Sequence, residues 1–334
     1  MAAPLAVRAA AWHLPETRTR IKDLPELATL PPGERESLLG LGVQTVCVDD
    51  ARDDTGLALA ASRTALDEAG LGPDDVDALI VVEPRAPGRL VASETTRLQE
   101  RLGVRRALTF GVGGLGCVSV APALFAARGL LAADEDMRNV LVAHGSRPAT
   151  PVRYRHPVTV NGDSGQALVL SRTGPVTVVD MVQESNGAYW DLFHVVYRDR
   201  PDDQWREECE DPAAYSFRLA VESRNRLRDL LGRLLERNGL GREDVAGFVG
   251  QNLSVGGFAF VEEALGIELL PACRENLRQY GHLGPNDILL NLYSAMARGE
   301  IADGDLVVLI NVSPVAAWSL MVVRAGEEDG ADYL

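Results

Sequence analysis

Short apolar runs of strand length alternate along this chain with longer segments whose apolar residues recur at helical spacing. SRTALDEAG (62–70) is amphipathic and ends at Gly70; DALIVVE (77–83) follows as a buried strand. GRLLERNG (232–239) and AGFVGQN (246–252) repeat that succession. The first apolar run, from Ala2 to Leu14, has no basic flank and meets Pro15 and Glu16 early. It is therefore expected to be a first strand rather than a signal peptide. No uninterrupted apolar run of about 18 residues is seen, so no membrane-spanning helix is expected.

The similarity between these segments extends to their letters. Residues 66–76 read LDEAGLGPDDV and residues 235–245 read LERNGLGREDV, an offset of 169 in a chain of 334. LFAARGLLAADEDMRNVLVA (124–143) matches LYSAMARGEIADGDLVVLIN (292–311) at nearly the same offset, aligning Arg128-Gly129 with Arg298-Gly299. Two ordered matches at one offset predict an internal duplication: two fused α/β lobes, 1–175 and 176–334, with alternating helices and strands. A duplicated chain brings equivalent points face to face across a pseudo-twofold axis. Leu115-Gly116 and Leu283-Gly284 are such points, with Cys117 on one side and His282 on the other.

Charge narrows the partners. Thirty-three basic residues against 48 acidic ones leave a net charge of −15, which argues against nucleic acid or an anionic membrane. The four cysteines, Cys47, Cys117, Cys209 and Cys273, never form a CxxC pair, so neither a metal site nor a disulfide framework is indicated. A single reactive thiol is the alternative. Cys117 fits it, because four glycines crowd the turn before it and a long apolar helix follows. A thiol there meets the positive end of a helix, which favours the thiolate. His282 is the base that its equivalent junction would supply. His13, His144, His156 and His194 are assigned structural roles.

These residues resemble the thiolase superfamily, in particular its ketoacyl synthase III branch. The resemblance covers almost the whole chain: the helix–Gly-Leu-Gly–strand units, the elbow at Cys117, NGDSGQALVL (161–170) and the C-terminal GDLVVLINVSPVAAWSLMVVR. It implies an α/β thiolase fold of two duplicated lobes in a five-layered αβαβα arrangement, a homodimer, and Cys117 as acyl-accepting nucleophile. It also implies an oxyanion hole from the backbone N–H of Cys117 and of Val315, since Pro314 has none to give.

The departures from that family concern its chemistry. Condensing members use a Cys-His-Asn set whose His and Asn stabilise an enolate. Gln251 stands where that His belongs, and His282 stands where the Asn belongs. Condensation is therefore not expected. Cys117 with His282 as base can instead pass an acyl group from a thioester to a hydroxyl or amine. Asp287 or Asn286 is placed to orient the imidazole, and Gln251 to hold a carbonyl or the acceptor. The alternatives are a decarboxylating condensing enzyme and a non-catalytic partner subunit.

The thioester donor is expected on the phosphopantetheine of an acyl carrier protein or on CoA, with no cofactor of the enzyme's own. Glu36 and Gly40 stand where CoA-using relatives place their adenine-clamping side chains, which favours the carrier protein. Arg218 matches a basic docking position, and Arg224, Arg226, Arg228 and Arg233 follow on the same helix. The polar, aromatic segment 183–216 lies where the family places part of its substrate-covering region; Trp190, Phe193, His194 and Tyr197 there either line an acceptor pocket or pack as the loop's own small core. A cytoplasmic acyltransferase tailoring secondary metabolites, of the antibiotic and polyketide kind, is the expected whole.

Overall fold

The computed structural model describes residues 3–89 and 91–326. Among them one sheet holds nine strands: β1 (Ala6–His13), β2 (Ala78–Val82), β3 (Leu108–Val112), β4 (Val140–Ser146), β5 (Ser164–Ser171), β6 (Val176–Ser185), β7 (Val245–Val249), β8 (Leu306–Ser313) and β9 (Ala317–Ala325). Their spatial order is β7-β8-β9-β6-β1-β5-β4-β2-β3. The first five strands thus lie in the order 3-2-4-5-1. The last four lie as 2-4-5-1 when β6 is counted first of its own set. The absent third strand is reduced to one parallel bridge between Phe248 and Leu269. The two sets meet where β1 pairs with β6, Ala6 opposite Thr177 and Val7 opposite Val176.

Among the described residues eight α-helices accompany the sheet: α1 (Pro32–Leu39), α2 (Asp54–Ala69), α3 (Glu94–Leu102), α4 (Val120–Ala133), α5 (Ala220–Arg237), α6 (Val255–Leu265), α7 (Pro271–Tyr280) and α8 (Asp287–Ala297). α2 covers β1, β4 and β5, and α5 covers β6 and β9. Between the two sets lie α4, against β2, β4 and β6, and α8, against β7 and β8. Helix, strand set, helix, strand set, helix: this is the five-layered arrangement of the thiolase fold.

Local chemistry explains the boundaries of the repeated units. Asp53 caps α2 by accepting from the Gly56 N–H at 2.9 Å, and left-handed Gly70 (φ 66°) ends it. In the second copy α5 ends one residue earlier relative to its glycine, with Asn238 as cap and Gly239 turned left-handed (φ 65°).

One stretch tests the expectation that no helix spans a membrane. The stretch Gly116–Ala133 is long and apolar enough to cross a membrane by composition. Arg128 and scattered small residues hide it from a count of unbroken apolar positions. Its place between the two sets of strands accounts for the composition, because a helix covered on both sides is apolar all round.

Candidate active site

The two duplicated junctions build the site. Leu115 (φ −109°, ψ 16°) and Leu283 (φ −108°, ψ 21°) have nearly the same backbone conformation. Each is followed by a left-handed glycine, Gly116 at φ 55° and Gly284 at φ 64°. A single helical turn then leads into the central helices α4 and α8. A Cβ on Gly116 would stand 2.7 Å from Ser313 Oγ, so both conformation and space require glycine there. Cys117 sits just after its glycine and His282 just before its leucine. His282 is pinned through its backbone: its N–H donates to Val160 O, and its carbonyl accepts from the Gly162 N–H, both at 2.9 Å.

The side chains meet as a linear relay. Cys117 Sγ lies 3.0 Å from His282 Nε2, and His282 Nδ1 lies 2.5 Å from Asp287 Oδ2. The three residues are 2%, 1% and 0% exposed, so water does not compete for these bonds. Asp287 also accepts from the Asn252 N–H at 2.9 Å and the Leu283 N–H at 2.8 Å, which fixes both carboxylate oxygens. Asn286, the other candidate orienter, turns away and donates to Ser164 Oγ at 2.8 Å. Burial alone would drive the proton off His282, but the negative charges of Cys117 and Asp287 outweigh it and raise its pKa well above the usual imidazole range.

Cys117 and His282 open onto a cavity of about 670 Å³. Val315 lines it, with its N–H facing Ser313 Oγ at a loose 3.4 Å. Gln251 does not line it. This glutamine is 5% exposed and its Oε1 accepts from the Val312 N–H at 2.5 Å, which braces β8 and leaves the side-chain Nε2 without a partner among the described residues. Contact with the acceptor, expected of Gln251, is therefore not what the structure shows.

Of the cavity residues that the sequence did not single out for chemistry, three are notable. His144, at the C-terminal end of β4, donates from Nδ1 to Val82 O at 2.8 Å; burial pushes its pKa down to about 4, so it is neutral. Arg85 and Arg155 are the others. Both pair with Glu207, from the irregular segment expected to cover the pocket. The aromatic residues of that segment do not line the cavity. Phe193 packs edge-on against Tyr215, Tyr197 against Trp205, and Trp190 is 75% exposed. His194 lies near Glu210 at 3.8 Å. Strand ends facing a crevice are the signal that could have flagged His144. No local pattern flags a lone arginine.

The basic helix is largely self-neutralised. Arg226 and Arg233 pair with Glu184, and Arg228 donates to Ala264 O. Arg218 pairs with Asp211 but keeps 69% of its side chain exposed, beside exposed Phe217 and Val221. Arg224 is also exposed.

Residues 235–325 match the family 3-Oxoacyl-[acyl-carrier-protein (ACP)] synthase III C terminal. A beta-ketoacyl-[acyl-carrier-protein] synthase III of Cereibacter sphaeroides is 28% identical over 278 residues, covering 80% of this chain and 83% of the relative. One from Staphylococcus epidermidis is 24% identical over 285 residues, covering 84% and 86%. Over most of its length this chain is ketoacyl synthase III-like in sequence, and its C-terminal part matches that family's model. Solved ketoacyl synthase III-like structures agree in fold. ChlB3, named an acyltransferase, superposes with a TM-score of 0.81 at 21% identity over 97% of this chain and 98% of its own. The 3-oxoacyl-(acyl carrier protein) synthase III of Pseudomonas aeruginosa PAO1 does so at 0.77 and 20%, over 98% and 100%.

Proposed function

We propose that this protein transfers an acyl group from a thioester, through Cys117, to a hydroxyl or amine acceptor. The observation that carries the reading is the buried relay of Cys117, His282 and Asp287 at 3.0 and 2.5 Å. The thiolate attacks the thioester carbonyl, and His282 gives its proton to the departing thiol. Acylation removes the negative charge of Cys117, one of the influences that hold the proton on His282. The imidazole is then neutral and takes a proton from the acceptor as it attacks the acyl carbonyl. Cys117 leaves as thiolate and the starting state returns, with Asp287 holding the ring in one orientation throughout. The N–H groups of Cys117 and Val315 are assigned to the carbonyl oxygen, the latter by turning from its loose contact with Ser313.

Decarboxylative condensation is disfavoured by the same geometry. It calls for two neutral donors on an enolate oxygen. Here Gln251 is withdrawn to Val312, and Nε2 of His282 faces the thiol. The donor is assigned to an acyl carrier protein, supported by exposed Arg218 and Arg224 and by the relatives' names. A homodimer in the cytoplasm, acting on a secondary metabolite, completes the proposal; the edge strand β3, with Leu108 51% exposed, is a candidate interface.

Incubation with acyl donor alone, followed by peptide mass mapping, tests the central step. An adduct on Cys117 that disappears when an acceptor is added is expected. Acylation elsewhere, or an adduct that only decarboxylated malonyl units discharge, overturns the reading.

A further inference from the structure

One cavity holds two arginines, Arg85 and Arg155, that share a single carboxylate, Glu207. Arg155 is 3% exposed, yet its Nε and Nη1 make no hydrogen bond among the described residues. Among the described residues its ion-pair partner is Glu207, with Nε at 2.8 Å from Oε1 in poor alignment for a bond. Both oxygens of Glu207 already accept from Arg85 Nη1, each at 2.9 Å. Two guanidinium groups thus share one carboxylate. Of the carboxylates that line the cavity, Glu94 accepts from Thr55 and Arg97, and Glu83 lies over Gly111 and Gly113. A buried guanidinium with open donors is costly unless something else completes it.

Resting on the acyl-transfer reading above, we propose that Arg85 and Arg155 form an anion subsite for a carboxylate at the far end of the acyl group, so that the preferred donors are monothioesters of dicarboxylic acids. Planar guanidinium pairs suit a carboxylate, which accepts bidentate bonds from them. Glu207 keeps the two side chains in place and leaves one positive charge for the ligand. The acyl chain is the source that fits best, because both arginines line the same cavity as Cys117 and Arg85 is close enough to feel the charge of its sulfur. The phosphate of a carrier arm lies two amide units from its thiol and would fall well away from that sulfur.

The test compares acylation of Cys117 by succinyl and butyryl, and by glutaryl and valeryl, pantetheine thioesters, read by intact-protein mass with Cys117→Ala as background. The full-length enzyme is expected to prefer the carboxylated member of each pair by about 10- to 100-fold, as for a charge-assisted bond. In Arg155→Gln the ratio should fall to near one. Arg85→Gln, on a side chain 29% exposed, gives a second measure should the buried variant fold poorly. Equal or faster reaction of the uncharged thioesters in the wild type overturns this subsite while leaving acyl transfer standing. No adduct from any of the four removes both readings. A parallel set on phosphopantetheine separates the sources: a preference that follows the phosphate, and is lost in Arg155→Gln, overturns the assignment to the acyl chain.

Discussion

Leu115 and Leu283 share one backbone conformation to within a few degrees, and that identity is why Cys117 and His282 face each other at 3.0 Å. Each leucine enters a left-handed glycine and then a central helix, so the duplicated chain delivers a thiol from one side and an imidazole from the other. The relay is a product of the repeat, completed by Asp287 on the first turn of α8.

Removing the base is expected to slow both half-reactions. His282→Ala should lower acylation of Cys117 and transfer to the acceptor by about 10²–10⁴-fold. Asp287→Asn should fall most of the way there, since the imidazole loses its charged orienter. Single-turnover rates on variants with native circular dichroism check both. Wild-type rates in His282→Ala would leave the mechanism without a base.

Malonyl thioesters should lose carbon dioxide no faster with the wild-type protein than with Cys117→Ala. The physical reason is Gln251, whose amide oxygen is held by Val312 and which does not line the cavity. Rapid release that requires Cys117 would favour condensation instead.

Acid should weaken the fold through His144. Burial lowers its folded pKa to about 4, below the 6.5 of a free imidazole, so the unfolded chain binds the extra proton between those values. The stability is present above pH 6.5 and is lost as pH falls towards 4, amounting to about 3 kcal/mol at the limit. Chemical denaturation from pH 7 to 4 should show this loss, and His144→Gln should have a shallower slope.

Carrier docking should depend on exposed charge and leave small donors indifferent. The double variant Arg218→Glu, Arg224→Glu is expected to raise KM for a carrier-bound thioester by about tenfold at low salt. Acylation by a pantetheine thioester should stay as it was. The ion pair of Arg218 with Asp211 is exposed and screened by solvent, so its loss should leave stability nearly unchanged. An unchanged KM would point to a different docking face.

Gly116→Ala should disable the elbow, because a left-handed residue would acquire a Cβ 2.7 Å from Ser313 Oγ. Acylation should fall at least as far as in His282→Ala, while Gly129→Ala, with open space around it, should behave as wild type. Equal acylation in the two variants would show that the turn tolerates rearrangement.

By itself the sequence determined the repeat, and through it most of the architecture. Periodicity and the Gly-Leu-Gly turns are local, so the helix-to-strand units and the junctions at Cys117 and His282 were legible without coordinates. The choice of Asp287 over Asn286 was not. Neighbours in sequence at the start of one helix point in different directions, and only the fold shows that one reaches the imidazole and the other reaches Ser164. Gln251 was placed in the right loop, but its direction was set by a backbone N–H on β8, sixty-one residues away. Arg85, Arg155 and Glu207 lie on three separate segments with no shared spacing. Their meeting is a property of the closed cavity wall alone, where burial and an unshared charge turn three ordinary residues into a candidate binding site.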